Sequence, residues 1–292
     1  MKGLIIKALS GFYYVETEQG TVECKARGRF RSQGQTPLVG DRVEISLSGK
    51  NGTVDTILER KNMLFRPPVA NLDKLFIVSS SVTPTPNTLL IDRMTAICAY
   101  KDIEPVILFN KNDLENVDKW CQIYQNAGFK TIACSAVSGE GIDKIKEELK
   151  NCASAFTGNS GAGKSSLLNV IFPTLNLSTG QVSDKLGRGR HTTRHTELFR
   201  HEFGGYVADT PGFSALEADK DDLSFKESLS TLFPEFLQHS SNCRFTDCAH
   251  IGDKGCGVCS AVEQGLIEPT RYASYKTIFE ELKDLKAWNI KK

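Results

Sequence analysis

Residues Gly158-Asn159-Ser160-Gly161-Ala162-Gly163-Lys164-Ser165-Ser166 fit the pattern G-x-x-x-x-G-K-[ST], a spacing suited to holding phosphate. Glycines let the backbone turn its N–H groups onto phosphate oxygens, and the helix that follows adds its positive N-terminus. Lys164 is then placed to reach the β- and γ-phosphates and the Ser165 hydroxyl to hold Mg²⁺. The flanks supply the strand–loop–helix context that the motif needs. Small and apolar residues precede it (Ala153, Ala155, Phe156), and Leu167, Leu168, Val170 and Ile171 follow at helical spacing.

Two further stretches read as parts of the same site. Asn110-Lys111-Asn112-Asp113 matches N-K-x-D at the end of an apolar run. A carboxylate there accepts from N1–H and the 2-amino group of guanine at once, which adenine cannot satisfy, while the Asn holds the loop and the Lys stem lies along the base. Ser135-Ala136 follows the next short apolar stretch, where its backbone N–H groups are placed for guanine O6. Asp209-Thr210-Pro211-Gly212 is a D-x-x-G after a strand pattern, with Asp209 expected at the Mg²⁺ water shell and the Gly212 N–H at the γ-phosphate. The next residue, Phe213, cannot orient water, so unaided hydrolysis is expected to be slow. Between the phosphate loop and D-x-x-G lies a Gly/Ser/Thr-rich basic segment from Ser178 to Thr193. It reads as a mobile loop that orders on nucleotide, with Thr192 or Thr193 offering a hydroxyl to Mg²⁺ and its arginines free for RNA.

Cys243-x4-Cys248-x-His250-x5-Cys256 brings three thiols and one imidazole within 14 residues. Four N/S ligands with no carboxylate suit one tetrahedral, structural Zn²⁺. Cys259 forms a Cys-x2-Cys pair with Cys256 and stands as an alternative fourth ligand.

Several elements must position these groups. The 292 residues suffice for two or three domains, and 40% apolar and 24% charged residues are ordinary for a soluble protein. No apolar run reaches the ~18 residues of a membrane span, and Met1-Lys2-Gly3-Leu4 lacks a signal-peptide pattern, so the reading is cytoplasmic with no membrane partner. Nine scattered cysteines suggest reduced thiols around one metal cluster. Residues 1–66 read as five short strands broken by glycine turns, arguing a small OB-fold barrel. Its Lys25, Arg27, Arg29 and Arg31 recur at period two, either an RNA-backbone stripe or a solvated strand face. Arg66-Pro67-Pro68 reads as a linker. Beyond it, buried-type strands at Lys74–Ser80 and Pro105–Phe109 alternate with helical spacing over Thr88–Tyr100 and Leu114–Ala127. That alternation predicts an α/β sheet. A helix is expected at Gly141–Lys150, and a last one from about Thr270 with Tyr272, Tyr275, Phe279, Leu282 and Leu285 on one stripe.

N-K-x-D and S-A precede the phosphate loop here, whereas a Ras-like GTPase runs phosphate loop, switch threonine, D-x-x-G, N-K-x-D, S-A. Closed α/β domains have neighbouring termini, so the chain reads as circularly permuted. In this order the residues resemble the ribosome small-subunit-dependent GTPase A family (RsgA, also called YjeQ or YloQ) over essentially the whole chain. Ile251 to Gly255 departs from the Glu-Pro pair frequent there. The resemblance implies a GTP hydrolase that binds GTP and GDP, the small ribosomal subunit and its rRNA, and assists late maturation of that subunit. His191 stands where the family's proposed catalytic histidine lies, acting with Lys164 and Thr193. The expected architecture is α/β: an OB-fold RNA-binding domain (1–66), a circularly permuted P-loop GTPase domain (67–222) and a zinc-binding helical domain (223–292), as a monomer. An RNA-binding module using GTP as a structural ligand, or a permuted GTPase of large-subunit assembly, are the alternatives.

Overall fold

The computed structural model describes residues 1–32, 34–65, 67–174, 196–209 and 226–283. The first half of the chain forms strands β1 (Lys2–Leu9), β2 (Phe12–Thr17) and β3 (Gly20–Ala26), one helical turn α1 (Arg29–Ser32), and strands β4 (Arg42–Ser48), β5 (Asn51–Ile57), β6 (Met63–Phe65), β7 (Pro68–Ala70) and β8 (Lys74–Ser80). Helix α2 (Thr88–Tyr100), β9 (Glu104–Asn110), α3 (Asp118–Asn126), β10 (Lys130–Ala133) and α4 (Ile142–Glu148) follow. Then come β11 (Ala153–Gly158), α5 (Lys164–Ile171), β12 (Glu197–Arg200), β13 (Tyr206–Asp209), a 3-10 helix (Lys226–Leu232), α6 (Pro234–Ser240), α7 (Gly257–Glu263) and α8 (Pro269–Lys283). These group into two compact units, one drawn from residues 1–75, 145–157 and 164–216, the other from 76–144, 158–163 and 217–292.

In the first unit five strands close a barrel. β1 pairs with β2, β2 with β3, β3 with β5, β5 with β4, and β4 returns to β1; the β3–β5 pair is parallel and the rest antiparallel. This is the connectivity of an OB-fold. The alternation of side chains along each strand sends Ile5, Val15, Cys24, Val43, Ile45 and Val54 into the barrel, where all are buried. A register shift in β1 between Ile5 and Lys7 turns its outer end toward β12, with Lys7 opposite Glu197 and ion-paired to it at 2.8 Å. From β12 the sheet continues antiparallel to β13 and then parallel to β11. His201 packs here between Phe172 and Phe203, with centroids 5.3 and 5.4 Å away, and neither ring nitrogen has a hydrogen-bond partner among the described residues. Burial holds its pKa below the ordinary histidine value.

Two expectations fail in this unit. Lys25, Arg27, Arg29 and Arg31 do not share one strand face, because β3 ends at Ala26 and Arg29–Ser32 coil into a helical turn. The cause is Phe30, which is 4% exposed and pulls the chain inward, while Arg27 and Arg29 turn onto the Asp55 carboxylate and backbone carbonyl. The expected linker at Arg66-Pro67-Pro68 is overturned at Pro68, which is paired in a strand: Phe65 lies opposite Pro68, Leu64 opposite Val69 and Met63 opposite Ala70, while Arg66 lies outside the described residues. Pro68 is tolerated because it opens a short edge strand, where no N–H is required, and Leu64 and Val69 are buried.

In the second unit β10, β9 and β8 are hydrogen-bonded neighbours, and β9 and β10 run parallel from Val106↔Lys130 to Phe109↔Ala133. Their near-continuous apolar runs suit strands covered on both faces: Phe76, Ile77 and Val78 of β8 and Val106 to Phe109 of β9 are all buried. Asn87 caps α2 by accepting from the Leu90 N–H at 3.0 Å. Helix α3 starts at Asp118 rather than at Leu114, since Asn116 accepts from the Asp118 N–H at 2.8 Å and Leu114 stays exposed.

The last helix, α8, packs on α2. Its buried stripe is Arg271, Ser274, Tyr275, Ile278 and Leu282, rotated from the expected one by an arginine; Leu285 lies outside the described residues. The Arg271 side chain is 1% exposed and ion-paired to Asp92 of α2 and Glu235 of α6, each at 2.7 Å. Tyr124, Phe129 and Phe233 line its faces at 4.8 to 5.6 Å. Burial opposes the guanidinium charge, but Asp92 and Glu235 together outweigh it and keep Arg271 protonated. Burial also pushes the Asp92 carboxyl up, against the pull of Arg271.

Candidate functional site

The site is built at the carboxyl end of β9, where sheets of this kind bind ligands. β9 ends at Asn110, whose side chain is 2% exposed and spans two other loops. Its Nδ2 donates to the Ala162 carbonyl at 2.9 Å, and its Oδ1 accepts from the Ala136 N–H at 3.2 Å. Lys111 takes a left-handed backbone (φ 68°), its carbonyl accepts from Ser81 Oγ at 2.9 Å, and its Nζ donates to the Thr83 carbonyl at 2.6 Å. Asn112 is clamped by Glu140, with Nδ2 at 2.9 Å from both carboxylate oxygens, and its N–H donates to the Cys134 carbonyl. Asp113 stands exposed beyond this frame. Ser135 is buried and shapes its own loop, accepting through Oγ from the Val137 and Ser138 N–H groups at 3.1 Å each. The Ala136 N–H, expected at guanine O6, is thus directed to Asn110.

The phosphate loop leaves β11 through three glycines at positive φ: Gly158 (145°), Gly161 (81°) and Gly163 (84°). A Cβ at Gly158 would collide with the Val78 carbonyl, and one at Gly163 with the Asn110 amide. Glycine is therefore required for conformation and for space at both positions. Asn159 accepts from the Ala162 N–H at 3.2 Å and Ala162 is buried, while Ser160 and Gly161 face solvent. α5 opens at Lys164, so the N–H groups of its first turn point out of the helix end toward the phosphate loop. Leu167 and Ile171 bury the opposite face and fix that helix. Asp209 is the last residue of β13. His191, Thr192, Thr193, Gly212 and Phe213 lie outside the described residues.

The sulfur–nitrogen cluster lies in the second unit. One ligand atom each from Cys243, Cys248, His250 and Cys256 falls within 4.8 Å of all the others. Cys243 Sγ and Cys256 Sγ are 3.9 Å apart, and His250 Nδ1 lies 3.5 and 3.4 Å from them. A tetrahedron with Zn–S near 2.3 Å and Zn–N near 2.0 Å has edges of about 3.8 Å (S–S) and 3.5 Å (S–N), which Cys243, His250 and Cys256 match; with Cys248 within 4.8 Å of each, the set is compatible with one zinc ion. The Gly257 N–H donates to Cys243 Sγ and the Cys259 N–H to Cys256 Sγ, at 3.3 and 3.4 Å, the outer-shell pattern that steadies metal-bound sulfur. Burial lowers the His250 pKa, favouring the neutral imidazole that a metal requires. Cys259 itself stands outside the four; its Sγ is 3.3 Å from the Tyr272 hydroxyl.

Sequence reasoning missed Glu140 and the Arg271 network. The first had no signal beyond a carboxylate after Ser138-Gly139, and the second resembled one more surface arginine on a basic helix.

A nucleotide-binding P-loop protein with a guanine-type N-K-x-D loop is the class that this arrangement defines, with its motifs in permuted order. RsgA GTPase is the family description that matches residues 57–219, and RsgA N-terminal domain the one that matches residues 2–54. The small ribosomal subunit biogenesis GTPase RsgA of Caldanaerobacter subterraneus subsp. tengcongensis is 46% identical over 288 residues, 97% of this chain and 96% of the relative. That of Geobacillus sp. strain WCH70 is 44% identical over 98% of each. YjeQ from Thermotoga maritima has a crystal structure similar to this one at TM-score 0.81 and 36% identity, covering 98% of this chain and 99% of that one. YloQ, described as a circularly permuted GTPase, aligns at TM-score 0.79 and 37% identity over 98% of this chain and 96% of its own. This chain belongs to the RsgA GTPase family.

Proposed function

We propose that the protein binds GTP through Asn110 to Asp113 and the phosphate loop, hydrolyses it, and does so on the small ribosomal subunit during its late maturation. The observation that carries this reading is the Asn110 amide, which joins the base loop, the Ser135-Ala136 loop and the phosphate loop through two hydrogen bonds. Three motifs distant in sequence are thereby held in one frame. In this frame Asp113 reads the base, Lys111 lies along it, and Gly158 to Ser166 take the phosphates. Ser165, Asp209 and one of Thr192 and Thr193 hold Mg²⁺, and Gly212 senses the γ-phosphate. Lys164 and Thr193 stabilise charge at the transferring phosphoryl group, and His191 positions water.

Cys243, Cys248, His250 and Cys256 hold one structural zinc. We keep the division into an RNA-binding barrel (1–66), a GTPase domain (67–222) and a zinc-binding domain (223–292), acting as a monomer in the cytoplasm. Among the described residues no helix is long and apolar enough to cross a membrane.

Steady-state phosphate release with no ribosomal particle, with purified small subunits and with purified large subunits tests the reading. Slow basal release that only small subunits accelerate is the expected result. Equal acceleration by both subunits, or none by either, overturns it.

A further inference from the structure

Cys259 is the thiol that the zinc reading leaves over, and its surroundings give it a use. It sits three residues after Cys256 in the first turn of α7, and its own N–H donates to Cys256 Sγ at 3.4 Å. Helix geometry puts Cα atoms three residues apart at about 5 Å, inside the ~4.4–6.8 Å window of a disulfide. The Cys259 side chain is not one of the four clustered donors; it rests against the Tyr272 hydroxyl and, at 3.9 Å, the His250 carbonyl. Cys256 is only 4% exposed, yet it forms part of the wall of a cavity of about 310 Å³ that also carries His239, Asn242, Ser260 and Gln264. That volume and polarity admit water-sized oxidants.

We propose that Cys256 and Cys259 form a peroxide-sensitive pair whose disulfide expels the zinc ion and is reversed by thiols. The proposal rests on the zinc reading above. A sulfur lone pair of Cys256 attacks one oxygen of hydrogen peroxide, the O–O bond breaks, and the departing hydroxide takes a proton to become water. Cys256 is left as a sulfenic acid. The Cys259 thiol, losing its proton, then attacks the Cys256 sulfur; the S–S bond forms, the S–O bond breaks, and a second water leaves. Two sulfurs have lost one electron each to the peroxide, and solvent has returned the proton that zinc binding removed from Cys256. With that ligand converted to a weak donor, the remaining Cys243, Cys248 and His250 release the ion. Cys243 is also close to Cys256, at 3.9 Å, but as a zinc ligand its sulfur is occupied. Among these sulfurs Cys259 alone is free to resolve the sulfenic acid, which keeps Cys256 from advancing to the irreversible sulfinic state.

The experiment treats the full-length protein with hydrogen peroxide, follows released zinc with a chelating dye, maps cysteine states by peptide mass spectrometry, and then adds dithiothreitol and zinc. Wild type is expected to lose its zinc, show a Cys256–Cys259 link, and recover full metal content on reduction. Cys259→Ser, which keeps a hydroxyl for Tyr272, should lack the link, accumulate Cys256 sulfinic acid, and fail to recover its metal on reduction. Metal analysis before oxidation separates the two readings. A preparation without zinc overturns the zinc reading and this proposal with it. Zinc-loaded protein that forms another main disulfide, or a Cys259→Ser variant that recovers like wild type, overturns this proposal alone.

Discussion

Asp113 is the one residue of the base loop left exposed while its neighbours are engaged in the frame, as a group that reads a ligand should be. Asp113→Asn exchanges one acceptor for a donor, so preference is expected to move from guanosine toward xanthosine nucleotides by a factor on the order of 10² or more. Competition binding with GTP and XTP checks this, and an unchanged GTP affinity removes Asn110 to Asp113 from the site. Gly163→Ala combines left-handed strain of about 1–2 kcal/mol with a collision against the Asn110 amide, and fluorescent-nucleotide titration should show affinity falling at least about tenfold.

His201 gives a prediction of a different kind. Its pKa is lowered by burial, so the unfolded chain binds the proton more readily than the folded one. Its contribution to stability is then intact above the unfolded value of about 6.5 and declines as pH falls from there toward the lowered folded value. Melting temperatures of His201→Phe and wild type, compared between pH 8 and pH 5, should diverge on the acid side in favour of the variant. The motifs were legible because phosphate and guanine chemistry dictate residue type and spacing together. Arg271 and Glu140 were not, since their partners Asp92, Glu235 and Asn112 lie 28 to 179 residues away and no local pattern announces such a pairing.

Among the elements, α2 was read with its observed bounds from apolar residues recurring at helical spacing, and the structure adds the Asn87 cap that fixes its start. Asn87→Ala should lower stability by about 1 kcal/mol in chemical denaturation. The elements misread were those ruled by tertiary contacts. α1 exists because Phe30 is buried, and the β6–β7 hairpin because Leu64 and Val69 are. The four-residue β12 was not anticipated, its length being too short for a pattern and its pairing supplied by β13. At α8 the Arg271 pairings carry the largest expected effect. Arg271→Ala strands Asp92 without its cation and is expected to cost about 3–5 kcal/mol. Replacing the group together with its partners by apolar residues of similar volume should recover most of that loss. Equilibrium unfolding decides, and a single-variant cost near zero would show that the pair contributes only shape.

Across the whole chain the permuted order has a covalent consequence, because the D-x-x-G loop continues in sequence into the Cys/His segment with no intervening nucleotide motif. Strain applied to that segment by a bound particle therefore has a direct path along the backbone to the proposed γ-phosphate sensor. Linkage makes the effect mutual: if GTP tightens binding of the small subunit, the subunit tightens GTP equally, about 5- to 150-fold for coupling of about 1–3 kcal/mol. Cys248→Ala should leave GTP affinity near its normal value and abolish stimulation by small subunits. Stimulation that survives the substitution would shift the relay to the barrel or the basic segment.

One strand adds a constraint of time. β1 finds its barrel partners within the first 57 residues, but the partner of its outer end at Lys7 is Glu197. At translation rates of about 5–20 residues per second the barrel can close roughly 7–28 s before Glu197 is made. Throughout that interval the outer end of β1 is a strand edge open to any other nascent chain, and a lysine in such an edge deters pairing. The charge that ends as half of an ion pair thus begins as the guard of an unfinished protein.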